Sequence, residues 1–167
     1  LSAGMLLSSV PFVGSVTFAE EKKMQFDDVT NTAADWFYDD VKAVFDAGLM
    51  DGKSEKIFAP NEQLTRAQAV TVLARMNGIG KNNGSHAPTG FSDADVEAWY
   101  AGYVRWAKNN NVSDGYPEGT FRPNDFVSRE ELAALLARYI RENRLALEEE
   151  PLTDEFSDKD EIADWAK

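Results

Sequence analysis

Apolar residues recur at intervals of three and four in four separate stretches of the chain. This spacing places them on one face of an α-helix and predicts four amphipathic helices. Polar and glycine-rich segments separate the stretches, so the sequence predicts an all-α fold built of helix–loop–helix units. The apolar positions are Trp36, Val41, Val44 and Phe45 in the first stretch, Val70, Leu73 and Ala74 in the second, Trp99, Tyr103, Val104 and Ala107 in the third, and Leu132, Leu135, Leu136 and Tyr139 in the fourth.

The second and fourth helices carry clear start signals. Thr65 and Ser128 are each followed three residues later by Gln68 or Glu131, which is the spacing of a capping box. Gly48 follows the first apolar stretch and can adopt the left-handed conformation that ends a helix. The pattern therefore sets the limits of the predicted helices as well as their existence.

The chain repeats itself with a register of 63 residues, which is typical of a repeat architecture. The segment FDDV at 26–29 recurs 65 residues later as FSDAD at 91–95 and after a further 65 as FSDKD at 156–160, and from Trp36 and Trp99 onward the register is 63. We therefore predict units at 26–80 and 91–144 and the truncated start of a third at 156–167. The matching positions are Trp36 and Trp99, Asp51-Gly52 and Asp114-Gly115, Phe58 and Phe121, Thr65-Arg66 and Ser128-Arg129, and Arg75 and Arg138.

Composition narrows the possible partners. The 167 residues carry a net charge of −12, which repels nucleic acid and anionic membrane surfaces, so an anionic ligand requires locally placed arginines. The chain has no cysteine, which excludes disulfides, a thiol nucleophile and thiolate metal ligands. The sequence contains no catalytic motif or phosphate-binding glycine loop, so neither an enzyme, a cofactor nor a metal site is predicted.

The segment 1–19 is apolar and uncharged and is followed by EEKK. Small residues at Thr17 and Ala19 fit signal-peptidase cleavage after Ala19, so the segment is interpreted as the remnant of a secretory signal. The alternative is a membrane anchor, because 19 residues could just span a bilayer. Pro11 and the glycines and serines favour the signal. We expect a secreted mature chain that begins near Glu20 and has no membrane span.

Taken together, the motifs resemble the S-layer homology domain family. The chain has FDDV, a tryptophan, AGLMDG and FAPNEQLTRAQAVTVLAR, and then repeats this order as FSDAD, a tryptophan, NNVSDGYPEGTFRPNDFVSREELAALLAR. The resemblance implies a pseudo-threefold helical bundle, truncated here. It also implies non-covalent anchoring of a secreted protein to the bacterial cell envelope. The implied ligand is a secondary cell-wall polysaccharide carrying ketal-linked pyruvate, or another peptidoglycan-linked polymer, bound in grooves between units.

The same resemblance implies which residues touch this ligand. It gives Arg66 and Arg129 to the grooves, and Trp36 and Trp99 either to the groove wall or to the core. The turn residues Asp51, Asp114 and Gly115 would lie beside the sugar. Arg75 and Arg138 end their helices, where a cation suits the dipole, and are interpreted as structural.

An arginine at the first position of a helix conflicts with the helix dipole, which favours anions there. A ligand carboxylate held by the first-turn N–H groups and the guanidinium would resolve the conflict. We therefore expect Arg66 and Arg129 to be exposed and dispensable for stability. Glu130 should make the Arg129 site the weaker of the two. The alternative is simple pairing of these arginines with acids such as Glu62 or Asp125.

Two rival interpretations concern the whole protein. In one, the chain is the anchor region of a cell-surface polysaccharide hydrolase, and in the other it is the anchor region of an S-layer lattice protein. Both leave the same binding role to the residues analysed above, and a catalytic or lattice-forming region would distinguish them.

Overall fold

The computed structural model describes residues 23–32, 34–80, 86–145, 157 and 159–166, and the predicted signal remnant lies outside them. This part contains no β-strand, and its only strand-like feature is an isolated bridge. The predicted all-α repeat fold is therefore confirmed. The helices are α1 (Tyr38–Asp46), α2 (Arg66–Met76), α3 (Ala101–Asn109) and α4 (Arg129–Glu142), followed by 3-10 turns at Lys159–Glu161 and Asp164–Ala166.

Both predicted capping boxes are present. The Thr65 hydroxyl accepts a hydrogen bond from the Gln68 N–H, and the Gln68 side chain accepts one from the Thr65 N–H. Ser128 and Glu131 make the same reciprocal pair at 3.2 and 2.9 Å. Gly48 has a φ of +70°, as predicted for the residue that stops the first helix. Local sequence chemistry thus fixes where these helices start and stop.

The main core lies between the two units rather than inside either one. In the described residues, α2 of the first unit packs against α3 and α4 of the second, while no close backbone approach joins α1 to α2 or α3 to α4. Its most deeply buried side chains include Val70, Val104, Val112 and Phe121. A smaller core of Phe26, Val29, Val41 and Phe45 belongs to the first unit alone. The second unit therefore supplies most of the partners of α2.

Three of the predicted core positions are wrong. Trp36 and Trp99 precede α1 and α3 by two residues, so they lie outside the helical faces and are 83% and 61% exposed. Each indole instead packs edge-on against the next aromatic ring, Phe37 or Tyr100. Leu136 is 39% exposed because the buried face of α4 is narrower than predicted and centres on Leu135 and Tyr139.

The aspartate of each Phe-x-Asp motif holds a loop of its own unit. Asp28 accepts hydrogen bonds from the N–H groups of Phe58 and Ala59, at 2.9 and 2.7 Å, and Asp93 makes the same pair of bonds in the second unit. Ala59 needs this support because its φ is +64°, a conformation that residues with a Cβ rarely adopt. Burial raises the pKa of Asp28, but the two N–H donors outweigh it and hold the pKa below its ordinary value of 3.8.

We expect Asp28→Ala to lower the free energy of unfolding by about 1–3 kcal/mol, because it leaves two loop N–H groups without an acceptor. The matched control is Asp27→Ala, an exposed neighbour whose loss should change stability by less than about 0.5 kcal/mol. Denaturant titrations at neutral pH measure both. Because the folded-state pKa is lowered, the contribution of Asp28 should be complete above pH 3.8 and disappear as the pH falls below it. Equal stability of the two variants would contradict the role of Asp28 in holding the loop.

Candidate functional site

A cavity of about 690 Å³ lies at the junction between the two units, and we call it the first groove. The first unit lines it with the Asp51-Gly52 turn, Lys53 and one face of α2. The second unit contributes Trp99 and Phe126, which are 61% and 60% exposed. The groove therefore combines polar groups from one unit with exposed aromatic rings from the other.

A short backbone pairing holds the two units together beside this groove. Thr65 and Phe126 form an antiparallel β-bridge, and the Val127 N–H donates to the Leu64 carbonyl at 3.0 Å. Leu64 and Val127 also pack against the main core. The position of Phe126 at the groove is thus set by main-chain hydrogen bonds.

The first turn of α2 is already satisfied by the second unit. The N–H groups of Arg66 and Ala67 donate to the carbonyls of Asp125 and Pro123, at 2.9 and 3.0 Å, and the next N–H, of Gln68, donates to the cap. These donors are therefore not available to a ligand. The expected binding of a ligand carboxylate by these first-turn N–H groups is therefore not supported at α2, because protein carbonyls and the cap already accept from them.

The Arg66 side chain is buried in a network that crosses the junction. Only 5% of the residue is exposed, whereas the sequence led us to expect an exposed side chain. Its Nε donates to the Phe121 carbonyl at 2.9 Å, and its Nη1 lies 2.9 Å from Glu131 Oε1. The guanidinium also stands 4.6 Å from the centre of the Tyr116 ring. Arg66 does pair with an acid, but the acid comes from the capping box of the next unit.

Hydrogen bonds and charge set the ionisation of this network. Burial raises the pKa of Glu131, but donation from the Tyr116 hydroxyl, the Ser128 N–H and the Arg66 charge outweigh it and leave the pKa below its ordinary value of 4.5. Burial and the bond to Glu131 raise the pKa of Tyr116. A lowered carboxyl pKa means that the network stabilises the fold above pH 4.5 and loses this effect as the pH falls.

Arg129 differs from its sequence counterpart. Its side chain is exposed and makes no hydrogen bond or ion pair to another residue of the described part. The neighbouring Glu130 accepts a hydrogen bond from the Ala163 N–H at 3.2 Å. The ligand roles of Arg66 and Arg129 remain predictions.

Arg75 braces the turn that forms one edge of the first groove. Its Nη2 lies 3.0 Å from Asp51 Oδ2, its Nη1 donates to the Leu49 carbonyl at 3.0 Å, and its Nε donates to the Tyr103 hydroxyl at 3.3 Å. The structural role predicted for Arg75 is therefore correct, although the partner is the turn and the next unit as well as the helix end. The equivalent pair in the second unit, Arg138 and Asp114, is 3.4 Å apart.

The glycine of the Asp-Gly turn is required by close packing. Gly52 has a φ of +81°, and a Cβ there would lie 2.6 Å from the Phe26 ring and 2.8 Å from the Ile57 carbonyl. Gly115 has a φ of +73° and is equally crowded, by Phe91 and the backbone of Thr120. Structural demands alone thus explain both glycines, and contact of Gly115 with a ligand remains a prediction.

A second groove of about 330 Å³ repeats the plan of the first. Gly115, Tyr116, Glu131, Leu135 and Arg138 line it, and the register equates them with Gly52, Lys53, Gln68, Val72 and Arg75 of the first groove. Trp165 borders the second groove as Trp99 borders the first. Each groove thus joins the turn and second helix of one unit to the tryptophan of the next. Arg66 also lines the second groove, whereas Trp36 and Arg129 line neither.

Sequence reasoning missed three residues of the first groove that differ from their counterparts. Lys53 and Gln68 stand where the second unit has Tyr116 and Glu131, and Phe126 stands where the first unit has Gln63. Comparison of the two units at each position could have singled them out. Among the described residues, no helix has the length and apolar character needed to span a membrane, and no acidic or histidine cluster could hold a metal ion.

A model of the S-layer homology domain matches residues 25–70 and 90–133, which is more than half of the chain. The chain belongs to the S-layer homology family. The two matched segments contain α1, α3, the Asp-Gly turns and both capping boxes, and they end within the first turns of α2 and α4. An S-layer homology domain is a cell-surface anchoring module rather than a catalytic one, so the expected anchoring role at the cell surface is confirmed.

The chain is similar to regions of several proteins that carry quite different names. The chain is 28% identical over 95 residues to a cellulosome-anchoring protein of Acetivibrio thermocellus, covering 56% of this chain and 21% of that protein. It is 27% identical over 127 residues to the surface-layer 125 kDa protein of Lysinibacillus sphaericus, covering 76% and 10%. An amylopullulanase of Thermoanaerobacterium thermosulfurigenes is 27% identical over 151 residues, covering 90% and 8%. The chain thus spans a small part of each of these relatives.

We expect Arg66→Ala to destabilise the protein by about 3–5 kcal/mol, because it leaves the half-buried Glu131 carboxylate and the Phe121 carbonyl without their donor. Arg129→Ala, at the equivalent but exposed position, should change stability by less than about 0.5 kcal/mol. Thermal and denaturant unfolding of the two variants provide the comparison. Similar small losses for both would mean that the Arg66 network contributes little to the junction.

Proposed function

We propose that this module anchors its protein by binding an anionic secondary cell-wall polysaccharide, carrying ketal-linked pyruvate, in the first groove. The observation that supports the proposal is the position of an exposed tryptophan, Trp99, in the same groove as an exposed cation, Lys53. A pyruvylated sugar has an apolar ring face and a carboxylate, and the groove offers a partner for each.

Aromatic and polar groups are arranged in this groove as a sugar requires. Ligand pockets combine apolar walls with a few placed polar groups, and an indole can cover the C–H face of a pyranose. The Gln68 side-chain oxygen is used by the capping box, which leaves its amide N–H₂ as a donor at the groove. Hydroxyl groups at the edge of the ring would find their partners there.

Lys53 is the cation of the first groove that a ligand can recruit at low cost. It pairs with Glu62, and the two side chains are 49% and 59% exposed. Exposed pairs of this kind contribute about 0–1 kcal/mol, so a ligand carboxylate can replace Glu62. Arg75 is different, because Asp51, Leu49 and Tyr103 already use its donors. In a chain with a net charge of −12, such a local cation decides whether an anion binds.

The names of the relatives favour anchoring of different cargoes. They include a cellulosome-anchoring protein, a surface-layer protein and an amylopullulanase, each matched over 8% to 21% of its length. We propose that the protein containing this module is likewise secreted and held at the cell wall. The first groove would serve to anchor either a hydrolase or a lattice-forming region. The second groove, which Gly115 and Arg66 line and whose Arg138 pairs with Asp114, is proposed as a further contact for the same polymer.

We expect Lys53→Gln to weaken binding to cell walls purified from the source bacterium by about tenfold, because one charge-assisted contact is lost. Lys42→Gln is the matched control, since Lys42 also forms an exposed ion pair, with Asp46, but lines neither groove. Both variants lower the net charge equally, so only the position differs. Co-sedimentation with the walls gives the two affinities.

Mild acid removal of pyruvate from the walls tests the ligand itself. The affinity of the unmodified protein for the treated walls should be about tenfold lower than for untreated walls. On treated walls, the Lys53→Gln variant and the unmodified protein should bind with the same affinity. The proposal fails if the unmodified protein does not sediment with untreated walls, or if Lys42→Gln weakens binding as much as Lys53→Gln. Unchanged binding after pyruvate removal would contradict the pyruvylated ligand and indicate another anionic group.

A further inference from the structure

We propose that Phe126 is a second sugar-stacking residue. The first groove then has two aromatic walls, Trp99 and Phe126. This inference rests on the proposed function, since it concerns the same ligand. Phe126 lines the groove together with Trp99, and its side chain is 60% exposed. Exposed aromatic side chains beside a cavity that also holds polar groups mark a surface that binds a ligand with an apolar face.

Packing does not account for a phenylalanine at this position. The register equates Phe126 with Gln63, while the flanking pairs, Val127 with Leu64 and Ser128 with Thr65, keep their character. Gln63 is exposed as well, so a polar residue serves the repeat fold at the same place. An aromatic ring that is mostly in water contributes little to the core. A contact with a ligand in the groove accounts for the ring where packing does not.

The backbone holds Phe126 in place before any ligand arrives. Its β-bridge to Thr65 consists of two main-chain hydrogen bonds on either side of it, and one of these runs from the Val127 N–H to the Leu64 carbonyl. In the other, the Arg66 N–H donates to the Asp125 carbonyl at 2.9 Å. A preorganised aromatic wall loses little conformational freedom on binding, which favours its use as a contact residue.

The two aromatic walls come from the second unit, whereas Lys53 and Gln68 come from the first. A glycan in the groove therefore contacts both units. The cavity of about 690 Å³ lies in the range of pockets that bury drug-sized ligands, so more than one sugar residue fits. We infer that one wall covers the pyruvylated sugar and that the other covers a neighbouring, uncharged sugar of the same chain.

The test uses Phe126→Gln, which installs the residue of the first unit, and Phe126→Tyr, which keeps the ring. Leu136→Gln is the matched control, because Leu136 is a 39% exposed apolar residue that lines neither groove. The probe is soluble polysaccharide released from walls of the source bacterium, titrated calorimetrically before and after removal of pyruvate. Phe126→Gln should weaken binding by about three- to tenfold with either form, as expected for one aromatic contact.

The affinity of Phe126→Tyr for the polysaccharide should stay within about twofold of that of the unmodified protein, and the affinity of Leu136→Gln should equal it. The effect of Lys53→Gln should disappear once pyruvate is removed, whereas that of Phe126→Gln should persist. If Phe126→Gln lowers the melting temperature, Phe126→Leu, which keeps an apolar side chain, replaces it and should show the same loss. If Phe126→Gln binds as tightly as the unmodified protein, Phe126 is not a stacking residue, and the proposed function still stands. No binding by the unmodified protein overturns the proposed function itself.

Discussion

The contact between the start of α2 and the loop of the second unit supports the rest of the structure. Here the Arg66 and Ala67 N–H groups donate to carbonyls of the second unit, and the Arg66 guanidinium is buried against Glu131. Helices of the same unit do not approach each other closely in the described part, so α2 depends on this contact for its packing. A buried guanidinium without Glu131 would be costly, and the pair therefore ties the two units to one relative position.

That relative position creates the groove in which the proposed function resides. Trp99 and Phe126 reach the polar turn and helix face of the first unit only because the junction places them there. The second groove repeats the plan with different chemistry, since Tyr116 and Glu131 stand in place of Lys53 and Gln68. The repeat thus supplies a shared scaffold, and a few substituted positions decide what each groove can bind.

Local chemistry could be predicted from the sequence, and contacts between units could not. The capping boxes, the helix stop at Gly48 and the 63-residue register depend on residues close together in the chain. The partner of Arg66 lies 65 residues away, and its carboxylate pairs with the guanidinium that sequence reasoning assigns to a ligand. Helical periodicity also cannot show that Trp36 and Trp99 fall two residues before their helices, which is why both were expected on apolar faces.

Chemical-shift mapping can locate an anionic glycan in the first groove of the folded protein. The measurement is a series of ¹H–¹⁵N spectra of the labelled protein during titration with the soluble, pyruvylated wall polysaccharide. A glycan in the first groove should cause saturable shifts of the Trp99 indole N–H and of the amides of Gly52 and Lys53, and leave the Trp36 indole unchanged. Shifts confined to Trp36 and Arg129, with the first groove unaffected, would contradict binding of the glycan in this groove.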